Sequence, residues 1–226
     1  MATPLLSDRS IIGPARRYQI LERSLYNGVV TRGRPRSFDR DAALEKAMHV
    51  FWRYGYEPAS IAALTDAMGI RPASLYAAFG DKRRLFSEAV ARYQATHGAF
   101  IGAALAEEPT ARGAVERMLR EIAVNYTDPS HPPGCLIISG AVNHGPDAAD
   151  VEDELREIRN QSRAAVAERL RDAVANRELP EDADADALAE FLAAVTRGMS
   201  RSAQDGATAD ELRAVADLAM RAWPQP

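Results

Sequence analysis

The segment from Ser60 to Phe79 constrains the fold of this chain most strongly, because it predicts two short helices joined by a glycine turn. Ser60 suits the cap of the first helix, since its side-chain oxygen can accept a hydrogen bond from a backbone N–H. Gly69 stands where that helix must end in a left-handed turn, which glycine adopts at little steric cost. Pro72 suits the first position of the second helix, where its missing N–H leaves no hydrogen bond unmade.

Helical spacing divides both predicted helices into an inner and an outer face. The inner residues are apolar, and they are Ile61, Leu64 and Met68 in the first helix and Leu75 and Phe79 in the second. The outer residues of the second helix are mostly short and chemically mixed: Arg71, Ala73, Ser74, Tyr76 and Ala77. A helix that enters a DNA major groove presents a face of this kind. The pattern therefore favours DNA recognition by the second helix.

Composition favours an all-α fold for this chain of 226 residues. Alanine and aliphatic residues dominate, aromatic residues make up only 7%, and β-branched residues do not alternate as they would in strands. No apolar run is long enough to span a bilayer, and the N-terminus lacks the apolar core of a signal peptide. The single cysteine, Cys135, excludes an internal disulfide framework. We therefore expect a cytoplasmic protein that does not enter the membrane.

Charge is unevenly distributed along the chain. Residues 31–90 contain ten Lys or Arg and seven Asp or Glu, a net of +3, whereas residues 91–226 contain 14 basic and 23 acidic residues, a net of −9. A basic N-terminal part joined to an acidic remainder is typical of a DNA-contacting domain on a body that avoids phosphates. Ordinary surface asymmetry explains the charges equally well when they are considered alone.

Three regions follow from these patterns. Residues 1–31 have little periodicity and are expected to form a mobile extension, residues 32–85 a DNA-binding domain, and residues 86–226 a helical ligand-binding and dimerisation domain. Arg34 and Arg36 lie in a Gly- and Pro-containing stretch that can follow a phosphate backbone or a minor groove, although a solvated basic linker is the alternative. Beyond the two-helix segment, we predict helices after Asp39 and Asp81 and over Thr110–Tyr126, Cys135–Asn143, Ala149–Asn176, Asp184–Ala203 and Thr208–Trp223.

With these residues in place, the chain resembles the TetR/AcrR family of bacterial transcriptional regulators. The resemblance is carried by Arg34-Pro-Arg36, by Phe51 with Gly55-Tyr56, and above all by Ser60 through Lys82 with its Gly-Ile, Leu-Tyr, Phe and Lys positions. A looser likeness to one subgroup of family ligand-binding domains covers Gly134-Cys-Leu136, Glu178-Leu-Pro180 and Gly198 through Leu212. Ala78 departs from the family pattern, because many relatives have a polar or aromatic residue there.

The resemblance implies a helix-turn-helix homodimer that binds a palindromic operator, usually as a repressor, and releases it when a small effector binds. Tyr76, Lys82 and Ser60 would contact phosphates, and Arg34 and Arg36 would form an N-terminal arm. Arg71, Ala73, Ser74 and Ala77 would face base edges, and Arg71 alone is long enough for a bidentate contact with guanine. Considered alone, Tyr76 could be a half-buried core tyrosine, and Arg83 and Arg84 are expected to be solvated helix charges.

Two apolar stripes near the C-terminus either pack internally or form the dimer interface. In the family, the corresponding helices pair with those of the partner as a four-helix bundle, and small residues permit close approach. The residues predicted for dimerisation are Leu188, Phe191, Leu192, Val195, Gly198, Met199, Leu212, Val215, Leu218 and Trp223.

Other functions have weaker support in the sequence. Cys135 with His131 and His144 could form a metal or thiol sensor, but a buried structural cysteine and two loop histidines explain these residues better. The chain has no phosphate loop, zinc-protease, nucleophile-elbow or dinucleotide-binding motif, so we expect neither an enzyme nor a resident cofactor or metal. A helical adaptor that binds another protein leaves the Ser60–Phe79 pattern unexplained. The effector and its pocket cannot be identified from the residues.

Overall fold

The computed structural model describes residues 38–142 and 144–224, and regular structure in these residues is helical. The helices are α1 (Arg40–Tyr54), α2 (Ile61–Met68), α3 (Pro72–Phe79), α4 (Lys82–Ala95), α5 (Ala99–Glu107), α6 (Ala111–Asn125), α7 (Leu136–Ser139), α8 (Ala149–Ala175), α9 (Ala185–Gln204) and α10 (Ala209–Arg221). A 3₁₀ turn, Pro146–Ala148, precedes α8. The all-α prediction is confirmed. Across the same residues, no helix combines the length and the apolar character that crossing a membrane requires.

Helix α1 is the centre of the N-terminal part, because it packs against both α2 and α4. Its buried aromatic residue Phe51 meets the ring of Phe86 on α4 edge to face, with 5.0 Å between the ring centroids. Tyr56, just after α1, approaches the same Phe86 ring at 5.1 Å. This aromatic cluster fixes the angle between α1 and α4, and α2 and α3 rest on the surface that the two helices share.

The C-terminal part is built from pairs of long helices. Helix α8 lies along α9, α6 packs against α5 and α10, and α9 also contacts α10. Helix α7 joins the two parts, because it contacts α1, α4 and α8. The side chains of Leu119, Leu136, Leu155, Leu170 and Leu212 are almost completely buried and belong to one core with the N-terminal helices.

Helix starts agree with the sequence prediction because they depend on local capping. The side chains of six residues accept hydrogen bonds from backbone N–H groups in the first turn of the helix that follows: Asp39, Ser60, Asp81, Thr110, Asp184 and Thr208. At Thr208 the bond is reciprocal, since the Glu211 carboxylate accepts from the Thr208 N–H in a capping box. These caps place nearly all predicted helices within a residue or two of their observed bounds.

One predicted helix is shorter than expected, and one observed helix was not predicted. The helix expected over Cys135–Asn143 is only α7, Leu136–Ser139, because the Gly140 carbonyl is used by the backbone N–H of Tyr56 at 2.7 Å and the chain turns there. Helix α5 was not predicted. Eight of its nine residues are apolar or glycine, so no polar face alternates with an apolar one and the periodicity that identifies an amphipathic helix is missing.

Gly134 and Gly69 provide a matched test of how tightly the loop before α7 packs against α9. Both have a left-handed backbone, but a Cβ on Gly69 would meet no atom within 4 Å, whereas a Cβ on Gly134 would lie 2.8 Å from the Ser200 carbonyl oxygen. We expect Gly69→Ala to lower the free energy of unfolding by about 1 kcal/mol. Gly134→Ala should lower it by at least about 2 kcal/mol, because the backbone clash adds to the conformational cost. Urea unfolding measures both, and equal losses would contradict the close packing.

Candidate nucleic-acid interface

The turn between α2 and α3 has the geometry that the sequence predicts. Ser60 Oγ accepts the N–H of Ala63 at 3.1 Å, and Gly69 ends α2 with a left-handed backbone, φ 69° and ψ 32°. The N–H of Ile70 then donates to the Thr65 carbonyl at 3.1 Å, which closes the end of α2. The end of α2 is therefore closed by backbone hydrogen bonds before α3 begins.

Helix α3 is divided into a buried and an exposed face as expected. Leu75 and Phe79 are buried, whereas Arg71, Ala73 and Ala77 are exposed and Ser74 is partly exposed. Tyr76 is 49% exposed although it follows a buried leucine, so it is not a core tyrosine. The outward face thus offers one guanidinium, two hydroxyls and two methyl groups to a partner.

Arg40 holds α3 in place, and the sequence analysis did not identify it. Its guanidinium forms an ion pair with Glu88 on α4 at 2.6 Å, donates to the Ala78 carbonyl at 3.3 Å and lies 4.3 Å from the ring centroid of Phe79. These contacts join the start of α1 to the end of α3 and the middle of α4. Although Arg40 adds to the basic charge of this region, its guanidinium is paired with groups inside the domain.

Lys82 is the first residue of α4, and its side chain lies against the connection between α1 and α2. Its ammonium donates to the Glu57 carbonyl at 3.1 Å and lies 4.5 Å from the ring centroid of Tyr56. Burial lowers the pKa of Lys82. An ammonium has three donors, so one hydrogen bond to Glu57 leaves capacity for an anion at the start of α4, where the helix dipole also favours negative charge.

The connection between α1 and α2 attaches α2 and α3 to the segment after α7. The N–H of Tyr56 donates to the Gly140 carbonyl at 2.7 Å, and the N–H of Gly145 donates to the Glu57 carboxylate at 2.8 Å. A Cβ on Gly55 would lie 3.1 Å from the Gly140 carbonyl oxygen. Tyr56 and Glu57, which contact Lys82, therefore also contact the segment between α7 and α8.

Arg83 is not the solvated helix charge that the sequence predicts. Its guanidinium forms ion pairs with Asp150 at 2.5 Å and Glu154 at 2.6 Å, both on α8. The hydrogen bond from Arg83 lowers the pKa of the Asp150 carboxyl. Arg84, the next residue, is exposed as expected. Arg83 thus fixes the start of α4 to α8, directly beside Lys82.

Other predicted site residues are placed differently. Arg34 and Arg36 lie outside the described residues. Of the ten residues predicted for dimerisation, four are buried in the chain's own core and are not available at a surface: Leu192, Met199, Leu212 and Trp223. The remaining six are exposed or partly exposed on α9 and α10: Leu188, Phe191, Val195, Gly198, Val215 and Leu218. The helical spacing identified the two apolar stripes, but it could not show which of their residues face the chain's own core and which face its surface.

The metal or thiol site suggested by Cys135, His131 and His144 is not assembled. Across residues 38–142 and 144–224, no set of three potential ligands that includes Cys135 has its ligand atoms within 4.8 Å of one another. Cys135 is buried, and its N–H donates to Ser200 Oγ at 3.0 Å. The imidazoles of His131 and His144 each lie 2.9 Å from a nearby backbone carbonyl. The described residues therefore do not bring Cys135, His131 and His144 together as a metal site.

Comparison with known proteins supports a regulator. Residues 43–89 match the family model described as bacterial regulatory proteins, tetR family, and residues 114–218 match the tetracyclin repressor-like C-terminal domain. The chain is 37% identical over 196 residues to the HTH-type transcriptional repressor ComR of Escherichia coli K12, covering 86% of this chain and 93% of that protein. It is 32% identical over 187 residues to the repressor BdcR of the same organism, covering 83% and 90%.

A solved structure with the same fold contains DNA. It is a cysteine-substituted form of the TetR family transcriptional regulator CifR, complexed with 26-base-pair double-stranded operator DNA. The TM-score is 0.82 and the sequence identity 46%, over 85% of this chain and 100% of that one.

The contact between α4 and α8 can be tested by comparing two neighbouring arginines. We expect Arg83→Ala to lower the free energy of unfolding. Loss of the ion pair between Arg83 and Glu154 should by itself lower it by up to about 1 kcal/mol. Arg84→Ala should change it by less than about 0.5 kcal/mol, because its side chain is exposed. Urea unfolding at neutral pH provides the comparison. Equal effects of the two substitutions would show that Arg83 does not fix α4 to α8.

Proposed function

The chain belongs to the TetR family of bacterial transcriptional regulators, and on that premise we propose that it represses transcription by binding double-stranded operator DNA with α3. The observation that carries this proposal is the division of α3. Its apolar residues Leu75 and Phe79 are buried, so the whole opposite face is free, and Lys82 lies at the start of the next helix. The operator complex of the similar CifR protein supports the same use of the fold.

Each exposed residue has a role that fits its chemistry. Arg71 reads a guanine edge, because its planar guanidinium can donate two parallel hydrogen bonds to O6 and N7. Ala73, Ser74 and Ala77 lie against base edges, where their small side chains allow α3 to enter deeply. Tyr76, Lys82 and the Ser60 hydroxyl contact phosphates and fix the position of the helix on the duplex. Arg34 and Arg36 serve as an arm that follows the adjacent backbone or minor groove.

Operator binding requires two copies of α3, which we assign to a homodimer formed through α9 and α10. The exposed apolar side chains there support this assignment, because Phe191 and Val215 are each 40% exposed and Leu218 is 59% exposed. Small residues such as Gly198 allow the paired helices to approach closely. The two α3 helices of a dimer must lie about 34–36 Å apart to enter successive major grooves, so the operator is palindromic.

Release follows when a small effector binds among the helices of residues 86–226 and changes the distance between the two copies of α3. The contacts of Tyr56 and Glu57 with the segment after α7, and of Arg83 with α8, connect such a change to residues 32–85. An effector lowers operator affinity only by the ratio of its affinities for the two states. In this scheme the chain acts in the cytoplasm, where its DNA is.

Substitution of the two proposed phosphate contacts tests DNA binding. A duplex selected from random sequence by the purified protein supplies the operator, and a palindromic consensus is expected. Tyr76→Ala and Lys82→Ala should each weaken binding, and Lys82→Ala should reduce the slope of log affinity against log salt by about 1, because one phosphate contact is lost. Fluorescence anisotropy over a series of salt concentrations measures both quantities.

Arg112→Ala serves as the control for this experiment, since Arg112 is an exposed cation on α6 in the C-terminal part. It should leave affinity and salt dependence unchanged. If Tyr76→Ala and Lys82→Ala both bind as the unchanged protein does, with the same salt slope, α3 and the start of α4 do not form the DNA interface.

The dimer interface can be tested with two exposed valines. Val215 lies on the proposed interface, and Val124, which is 49% exposed, lies at the end of α6 outside it. Val215→Glu should raise the dimer dissociation constant by about 100-fold or more, because dimerisation would bury an unpaired carboxylate. Val124→Glu should not alter it. Sedimentation over a concentration series gives the result, and dissociation by Val124→Glu alone would place the interface elsewhere.

A further inference from the structure

Three potential metal ligands meet where α1 faces the end of α4. Glu45 and His49 are four residues apart on α1, so they lie on the same face of that helix. His97 follows α4 and approaches them from the opposite side. One ligand atom from each residue lies within 4.8 Å of the other two. Among the residues that the structure describes, no other set of three His, Cys, Asp or Glu side chains comes this close.

The distances within this cluster suit a tetrahedral metal ion. Glu45 Oε1 lies 3.5 Å from His49 Nε2 and 3.6 Å from His97 Nε2. Two ligands that each bind zinc at about 2.0–2.2 Å are separated by roughly 3.4 Å when the coordination is tetrahedral. Both carboxylate–imidazole distances are therefore close to the separation of two ligand atoms in a zinc site.

The cluster is held partly by its own contacts, since His97 interacts with the Glu45 carboxylate. Arg92 pairs with Glu45 through Oε2, so Oε1 remains directed at the histidines. His49 Nε2 is buried and has no hydrogen-bond partner among the described residues.

Aromatic side chains enclose the cluster on its inner side. The Trp52 ring meets the His97 ring with 5.0 Å between centroids, and the His131 ring stacks on Trp52 at 4.4 Å. His131 Nε2 is also buried without a hydrogen-bond partner in the described part of the chain, and its ring centroid lies 4.7 Å from that of His97. Two imidazole nitrogens at or beside the cluster, His49 Nε2 and His131 Nε2, are therefore buried without a hydrogen bond among the described residues.

We propose that Glu45, His49 and His97 form a binding site for a divalent transition-metal ion of the zinc class. Two imidazoles and one carboxylate are a ligand set that zinc accepts when a fourth position is left open. Calcium and magnesium are excluded as preferred ions because they need oxygen ligands. The bound ion joins α1 to the end of α4. This site is separate from the exposed face of α3 and does not depend on the proposed DNA binding.

Zinc titration of the full-length chain, with no polyhistidine tag, tests the proposal. After treatment with a chelator, the protein should bind one Zn²⁺ per chain in competition with a chromogenic indicator. His49→Ala and His97→Ala should each weaken binding by about 100-fold or more, since loss of a ligand exceeds the 10- to 100-fold effect typical of an outer-shell change. His144→Ala is the matched control, because it removes one of the four histidines of the chain outside the cluster. Its affinity should be unchanged.

Two further measurements keep the result interpretable if an alanine variant folds poorly. Glu45→Gln retains the shape of the side chain but removes its charge, and it should also weaken Zn²⁺ binding while circular dichroism remains unchanged. Co²⁺ added in place of zinc should give the intense visible absorption of a tetrahedral site, and His97→Ala should abolish it. The proposal is overturned if the unchanged chain binds no Zn²⁺, or if His49→Ala and His97→Ala bind Zn²⁺ as tightly as His144→Ala.

Discussion

The burial of two side chains, Leu75 and Phe79, is the interaction on which the proposed DNA-contacting surface of α3 depends. Helix α3 has eight residues, and an isolated helix of that length is not stable in water. Its shape is therefore imposed by the core beneath it and by Arg40, which holds the Ala78 carbonyl and the Phe79 ring. The outward face of α3 keeps its orientation because Leu75 and Phe79 fix the inward face in the core. The same constraint explains why Arg40, although basic, is structural.

Helix α4 connects the parts of the molecule that carry function. Lys82 begins it, Arg83 joins it to α8, Arg92 joins it to Glu45 on α1, and His97 follows its last residue. A movement of α4 therefore changes the support of the proposed phosphate contact, the contact with α8 and the distance between Glu45 and His97 together. In the function that we propose, such a shared element gives effector binding a physical route to α3.

Local signals explain what could be predicted from the sequence. The turn at Gly69, the caps and the inward direction of Leu75 depend on residues within one or two helical turns, and these predictions are confirmed. The remaining features depend on distant partners. Arg83 meets α8 residues 67 and 71 positions away, and α7 ends where it meets Tyr56. The apolar stripes on α9 and α10 were recognised, but spacing alone could not show that Leu192 and Met199 face the chain's own core.

The small outer face of α3 has an evolutionary consequence. Ala73 and Ala77 are exposed, and substitutions at such surface positions usually change stability by no more than about 0.5 kcal/mol. New side chains can therefore be tried at these two positions without loss of the folded state. Leu75 and Phe79, on the same short helix, do not have that freedom. If α3 reads the operator as we propose, operator preference can diverge between descendants of this protein while the scaffold that presents α3 stays the same.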